Sequence, residues 1–219
     1  MVRPRKSDQT REELLAVGTE LLTSHGYHGT GIKQILDAVG VPKGSFYNFF
    51  PSKEAFVAEV IHHYGEQVEE EIERATAGLE QEPGLVQLWC SFRNKVQREV
   101  ATGQSCACLL GAMSAEIARS SPLCREAIET VEQRWVERIR MGIELAQQQG
   151  DLRDDIAAEN LAPTLYNCWQ GSLLQYQVSG NPDDLLRHLW TFLSTLMTVQ
   201  GKLTFENSNA CKRELHYDK

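Results

Sequence analysis

Long apolar runs are missing from this 219-residue chain. No uninterrupted apolar stretch approaches the roughly 20 residues that a membrane-spanning helix needs. The first ten residues, MVRPRKSDQT, are basic and polar and lack the apolar core of a signal peptide. We therefore expect a protein without a membrane segment that acts in the cytoplasm.

Motifs of common enzymes and metal sites are missing as well. The chain has no P-loop, no dinucleotide fingerprint and no GxSxG nucleophile motif. Its six cysteines, in a chain without a signal peptide, favour reduced thiols over a disulfide framework. The pair Cys106 and Cys108 lacks a second ligand pair at a defined spacing, so we expect no metal and no cofactor.

Positive charge is scarce overall but is concentrated at one end. The net charge of −8 by itself argues against a nucleic-acid partner. However, residues 1–53 hold seven Lys or Arg against five Asp or Glu, whereas the rest of the chain holds 15 against 25. A nucleic-acid contact, if the chain has one, is therefore expected in the first 53 residues.

Glycine, proline and capping residues divide the chain into helical segments, with no alternating apolar run of strand length between them. The fold class is predicted as all-α. The predicted helices cover 8–25, Thr30 to Gly40, Pro42 to Phe50, Ser52 to Thr76, 85–100, 108–119, Pro122 to Gly150, 155–179 and 183–200. Pro163 is expected to kink its helix or to mark the helix start, and the tail after Gly201 to be loosely ordered.

The second and third of these helices have the length and the turn of a helix-turn-helix, whose second helix enters the major groove of DNA. Phe46, Phe49 and Phe50 recur at a spacing of three to four residues and are predicted to face the first two helices. The remaining side chains of VPKGSFYNFF then point outward. The N-terminal part is therefore predicted as a three-helix DNA-binding domain.

The outward residues of the recognition helix suit contacts with DNA. Lys43 can reach a guanine edge or a phosphate, and Ser45 and Asn48 suit base edges. Gly44 permits a close approach of the backbone, and Tyr47 offers a hydroxyl to a phosphate. The alternative is that these residues form only the solvated face of a helical bundle.

Three residues outside the recognition helix complete the predicted DNA contacts. Thr30 is predicted to cap the second helix and to touch a phosphate, and Lys33 lies on that helix. Lys53 lies in the first turn of the fourth helix, where its charge opposes the helix dipole. Together with the unpaired N–H groups of that turn, its ammonium can hold a phosphate.

The run GTGIKQILDAVGVPKGSFYNFFPSKEAF, from Gly29 to Phe56, resembles the DNA-binding domain of the TetR family of bacterial repressors. The resemblance implies a homodimer whose C-terminal helices form a four-helix bundle, a pseudo-palindromic operator in double-stranded DNA, and a small-molecule inducer. It implies a DNA-binding domain at 1–53, a larger helical domain for ligand sensing and dimerisation at 54–201, and a tail at 202–219.

A second stretch, SCACLLGAMSAE, resembles TetR-like repressors that answer to electrophiles of the N-ethylmaleimide type and to acrylate. Cys108 matches their cysteine at a helix start, where the helix dipole favours a reactive thiolate. Cys106 is the candidate resolving thiol. The alternative for Cys108 is a small buried side chain that only packs.

Aromatic residues of the larger domain are candidates for an apolar ligand pocket, or else belong to its core. The candidate lining residues are Trp89, Met113, Trp135, Tyr166, Trp169 and Tyr176. Two alternatives to a repressor are a cysteine-dependent enzyme with Cys108 as nucleophile and a plain helical interaction protein. The missing enzyme motifs favour the repressor, so we assign no catalytic residue.

Overall fold

Helices joined by turns make up the fold in a computed structural model, which describes residues 6–102 and 108–209. The helices are α1 Lys6–Gly29, α2 Ile32–Val39, α3 Phe46–Phe49, α4 Lys53–Thr76, α5 Gly84–Thr102, α6 Leu109–Glu116, α7 Pro122–Gln148, α8 Ala158–Ser179, α9 Pro182–Leu196 and α10 Val199–Asn207. Across these described ranges no strand forms beyond an isolated bridge between Leu152 and Met197. The predicted all-α class is confirmed.

Glycines end several helices where the sequence predicts. Gly40 has a φ of 70°, and its N–H and that of Val41 donate to the carbonyls of Asp37 and Leu36. This pattern closes the last turn of α2, and glycine adopts the left-handed conformation without a steric penalty. At the start of α9, the Asn181 side chain accepts a hydrogen bond from the Asp183 N–H, 3.2 Å away.

Contacts divide the described residues into two compact units. The first unit contains residues up to Val68 together with Cys108–Glu132, and therefore holds α1, α2, α3 and α6. The second contains the remaining residues and holds α5, α8, α9 and α10. Helix α6, whose N-cap is Cys108, thus belongs to the same unit as the predicted helix-turn-helix.

The core of the first unit is an aromatic cluster under α3. Phe46, Phe50 and Phe56 are fully buried, and the ring centroids of Phe50 and Phe56 are 4.8 Å apart in an edge-to-face arrangement. Gly18 in α1 makes room for this cluster, because a Cβ at that position would overlap the Phe56 ring. The cluster holds α3 against α1 and α4.

The core of the second unit is built from tryptophans and from the apolar face of α9. Helix α8 packs against α9, and both α9 and α10 pack against α5. Trp89 is buried, and the ring centroid of Trp190 lies 5.3 Å from that of Trp89. Phe205 of α10 lies 4.6 Å from Trp190, centroid to centroid, and closes the cluster.

Four expectations about helix ends need correction. The N-cap of α2 is Gly31 and not Thr30. Pro42 is extended, with ψ 141°, so the predicted third helix is a 3₁₀ turn at Lys43–Ser45 followed by the short α3. Helix α8 begins at Ala158, upstream of Pro163, so the proline does not mark its start.

The fourth correction concerns the tail after Gly201. Helix α10 continues from Gly201 to Asn207, and the Phe205 side chain is 2% exposed. The Ser208 hydroxyl donates to Glu82 over 3.0 Å. The expectation of loose order is therefore wrong up to Ser208, because the ring of Phe205 is buried against Trp89 and Trp190.

Candidate nucleic-acid interface and sensor cysteine

The recognition segment has a buried side and an exposed side. Phe46 and Phe50 face the core, whereas the Tyr47 side chain is 65% exposed. Gly44 and Asn48 are also exposed, and Ser45 and Phe49 are half-buried; the side chain of Lys43 lies outside the described part. The helical spacing therefore predicts the inward Phe46 and Phe50 and the outward Tyr47 and Asn48, whereas Phe49, predicted inward, and Ser45, predicted outward, are both half-buried. Contact with DNA stays a prediction.

Thr30 joins α1 to α2 from a buried position. It is 1% exposed, and its hydroxyl lies 2.8 Å from the Gly26 carbonyl and 3.1 Å from that of Leu21. Its one hydroxyl proton is used inside the protein, so the predicted phosphate contact requires its backbone N–H. Lys33, by contrast, lies exposed on α2.

Lys53 is held at the start of α4 by Tyr27. Its ammonium donates to the Tyr27 carbonyl over 2.6 Å and lies 4.0 Å from the centroid of the Tyr27 ring. Burial lowers the pKa of Lys53, and the carboxylates of Glu54 and Glu116 oppose that shift. The predicted phosphate ligand is thus also a link between the end of α1 and the start of α4.

Residues around Tyr27 extend this link, and the sequence analysis missed them. The Tyr27 hydroxyl donates to Glu54 over 3.3 Å, and the Cys124 thiol of α7 donates to the Glu54 carbonyl over 3.5 Å. Hydrogen bonds from its own N–H and from Ser52 lower the pKa of Glu54. Because these partners lie far apart in the chain, no local spacing indicates them.

Glu116 at the end of α6 also reaches α1. One of its carboxylate oxygens accepts a hydrogen bond from the His28 N–H, 3.1 Å away. The chain turns at Gly26, whose φ of 70° interrupts α1. A carboxylate in the last turn of a helix is electrostatically unfavourable. This misfit marks Glu116 as unusual, but it does not indicate which residue the carboxylate contacts.

Cys108 is the N-cap residue of α6 and is half-buried. Its carbonyl accepts a hydrogen bond from the Ala112 N–H, 3.2 Å away, which begins the helix. The predicted position at a helix start is therefore observed, whereas its reactivity stays a prediction. Cys106, the candidate resolving thiol, lies outside the described residues.

The other described cysteines are fully buried, or have a thiol pKa that burial raises. Cys90 and Cys124 are fully buried, and Cys168 of α8 is half-buried. Burial raises the pKa of the Cys124 and Cys168 thiols, which lowers their thiolate fraction. Both effects favour packing roles for these residues.

The residues proposed for an apolar pocket are mostly packed in cores. Trp89, Trp135, Tyr166 and Trp169 are buried in the second unit, Met113 is buried in the first, and Tyr176 is half-buried. The Trp135 and Tyr166 rings are 6.4 Å apart, centroid to centroid, and Trp169 lies 5.3 Å from Phe92. Met113 does not share a unit with the others.

The second unit contains a cavity of a different character. It has a volume of about 250 Å³ and is lined by Glu71, Arg74, Ala75, Asn94, Lys95, Arg98 and Glu99. The ammonium of Lys95 contacts Glu99 over 2.6 Å and Glu71 over 3.3 Å. Burial lowers the pKa of Lys95, but the two carboxylates outweigh burial and raise it overall. This cavity suits a polar ligand.

Neither a metal site nor a membrane-spanning helix is observed in the part of the chain that the structure describes. No three His, Cys, Asp or Glu side chains converge there as metal ligands would. None of the helices described is long and apolar enough to cross a membrane.

Comparisons with known proteins agree with this architecture. The model of "Bacterial regulatory proteins, tetR family" matches residues 14–60, and that of "Tetracyclin repressor-like, C-terminal domain" matches residues 78–192. The transcriptional repressor DhaR of Mycobacterium sp. (strain GP1) is 31% identical over 197 residues, covering 90% of this chain and 97% of DhaR.

The transcriptional repressor NemR of Escherichia coli K12 is 29% identical over 192 residues, covering 85% of this chain and 94% of NemR. The crystal structure of the reduced form of E. coli NemR matches with a TM-score of 0.76 and 25% identity, covering 87% of this chain and 97% of that one.

Proposed function

The chain belongs to the TetR family of bacterial regulatory proteins, and on that premise we propose that it is a homodimeric repressor released from its operator by cysteine modification or by a small ligand. Binding to DNA rests on one observation above the others. The recognition helix is anchored by Phe46 and Phe50 while Tyr47, Gly44 and Asn48 are exposed. Because the core already fixes this helix in place and its polar side chains point outward, it can enter a major groove without first having to fold.

The experiment for DNA binding is selection of duplexes from a random pool by the purified protein. We expect a pseudo-palindrome whose half-sites lie about one helical turn, roughly 34 to 36 Å, or a multiple of it apart. Affinity should fall steeply with salt, because phosphate contacts release counterions. Selection of no sequence and a flat salt dependence would instead favour an enzyme or an interaction protein.

Dimerisation is proposed through the outward faces of α8 and α9. Leu174 and Val178 of α8 are 64% and 82% exposed in the single chain. Large apolar side chains that neighbour each other on one exposed helix face favour a protein partner. A second copy of the same face fits the two-fold symmetry that a pseudo-palindromic operator needs.

Release by thiol chemistry is proposed at Cys108. It is half-buried at the N-cap of α6, in the same unit as the recognition helix, whereas the thiols of Cys124 and Cys168 have raised pKa values. NemR, a relative whose structure is known, was crystallised in a form described as reduced, which supports thiol chemistry here. An adduct on Cys108 adds bulk at the start of α6 and favours a conformation with lower DNA affinity.

The test is operator affinity before and after treatment with N-ethylmaleimide. Cys108→Ser should bind the operator as wild type does and lose the response, while the matched control Cys168→Ser should keep both. Cys106→Ser should keep the response to alkylation, and should lose a response to oxidants only if a disulfide forms. If N-ethylmaleimide releases Cys108→Ser from the operator as readily as it releases wild type, then Cys108 only packs.

A non-covalent inducer is the second candidate, and the charged cavity at Lys95 supports it. Its lining of two carboxylates, Lys95, Arg74 and Arg98 favours a small polar molecule over the apolar one suggested by the aromatic residues. A small molecule that releases DNA equally from wild type and from Cys108→Ser would identify this mode.

A further inference from the structure

The contact between Glu116 and the end of α1 joins two residues, Glu116 and His28, that lie 88 positions apart in the sequence. Gly26 interrupts α1, and the next N–H groups therefore lose the regular helical pattern. Glu116 accepts one of them, the N–H of His28, and thus caps the short turn that ends α1. Helix α6 and α1 pack against each other around this bond.

Gly26 and Glu116 fit each other closely. A Cβ at position 26 would overlap the Glu116 carboxylate, and the φ of 70° at Gly26 already disfavours any other residue. A side chain at position 26 would therefore expel the carboxylate, which is the mobile end of a flexible side chain. The absence of a side chain at Gly26 is what allows Glu116 to reach the His28 N–H.

The capped turn leads directly to the residues that position the recognition helix. Tyr27 lies inside this turn, and its carbonyl and ring hold Lys53 at the start of α4. The Glu116 carboxylate also attracts the Lys53 ammonium. Phe56, in the next turn of α4, packs against Phe46 and Phe50 of the recognition segment.

From these contacts we propose that Glu116 is a positioning residue: by capping the end of α1 it fixes Tyr27, and through Tyr27 the start of α4, in the arrangement that supports the recognition helix. The proposal rests on the proposed function, since it concerns how DNA binding is controlled. Glu116 is the last residue of α6 and Cys108 is its N-cap, so the proposed positioning residue and the candidate sensor cysteine lie at opposite ends of one short helix.

The experiment compares Glu116→Ala with Glu116→Gln, which lacks the charge but keeps a hydrogen-bond acceptor. The two variants have the same net charge, so their general attraction to DNA is matched. We expect Glu116→Ala to bind duplexes selected by wild type about 3- to 10-fold more weakly than Glu116→Gln, the range of one net hydrogen bond. Glu126→Ala, which removes an exposed carboxylate of α7 in the same unit, should bind at least as tightly as wild type.

A double-mutant cycle with Gly26→Ala provides the second readout. In the wild-type background this substitution costs backbone strain and also expels the Glu116 carboxylate, whereas in the Glu116→Ala background only the strain remains. The loss of DNA affinity caused by Gly26→Ala should therefore be about 3- to 10-fold smaller in the Glu116→Ala background than in wild type. Equal losses in both backgrounds would overturn the proposal.

Hydrogen exchange tests the contact without DNA. Exchange at the end of α1, around His28, should accelerate about 3- to 10-fold in Glu116→Ala and stay near wild type in Glu116→Gln. Unchanged exchange in Glu116→Ala, or DNA binding equal to that of Glu116→Gln, would refute the positioning role. A wild-type protein that selects no DNA would refute the proposed function instead, and the exchange result would still decide whether Glu116 caps α1.

Discussion

Substitution of Lys53 separates two roles that the structure combines in one side chain. Lys53 is the predicted phosphate ligand, and in the structure its ammonium donates to the carbonyl of Tyr27 and lies over the Tyr27 ring. Lys53→Ala removes both contacts. We expect it to lower the stability of the first unit and to weaken binding to all DNA sequences alike.

The magnitudes follow from these contacts. A cation–π contact at 4.0 Å contributes about 0.5 to 1 kcal/mol and a hydrogen bond about 0.5 to 1.5 kcal/mol. Lys53→Ala should thus lower the free energy of unfolding by about 1 to 2.5 kcal/mol. A charged bond to phosphate contributes about 1.5 to 3 kcal/mol, and it replaces the Tyr27 contacts. The net loss in DNA binding is then about 0.5 kcal/mol, roughly twofold.

Two assays distinguish the roles. Denaturant unfolding measures the stability change, and operator affinity at several salt concentrations measures the phosphate contact, whose loss lowers the salt slope by about 1. Lys53→Arg is the control, because arginine keeps the charge and also stacks on aromatic rings. An unchanged salt slope in Lys53→Ala would mean that Lys53 only joins α1 to α4, and altered base preference would contradict both roles.

Two further predictions concern the DNA-reading and dimer faces. Asn48→Ala and Ser45→Ala should change the preference for particular bases by about 1 to 3 kcal/mol, whereas Tyr47→Phe should weaken binding to all sequences alike. Repeated selection from a random pool measures the base preference of each variant. A uniform loss of affinity in Asn48→Ala would contradict a base contact by Asn48. The double substitution Leu174→Glu with Val178→Glu should produce monomers at micromolar concentration in sedimentation, because it places charge at exposed apolar positions of α8. Leu123→Glu, at an exposed leucine of α7, is the control, and an equally dissociated control or an intact double variant would contradict the proposed interface.

Local signals in the sequence were sufficient for most helix boundaries. Gly40, Gly150 and Gly180 all adopt positive φ values at or just after helix ends, and glycine is favoured there for a reason that acts within a few residues. The inward side chains Phe46 and Phe50 and the outward Tyr47 were predictable from helical spacing, whereas Phe49 is only half-buried. Side chains three or four residues apart share a helix face, whatever the rest of the chain does.

Features that depend on distant partners were not predictable. Thr30 is a plausible cap by its residue type, yet its hydroxyl bonds back to Gly26 and Leu21 of α1. The burial of Phe205 depends on tryptophans from α5 and α9. The bond between Glu116 and His28 connects helices whose packing no local pattern indicates. In each case tertiary contacts outweigh local preference.

The position of α10 determines where this protein can be shortened for laboratory use. Its Phe205 ring covers Trp89 and Trp190, and Ser208 is bonded to Glu82. A fragment ending near Gly201 would expose two indole rings to water and invite aggregation. An expressed fragment should therefore retain Ser208, and a C-terminal affinity tag belongs after that residue.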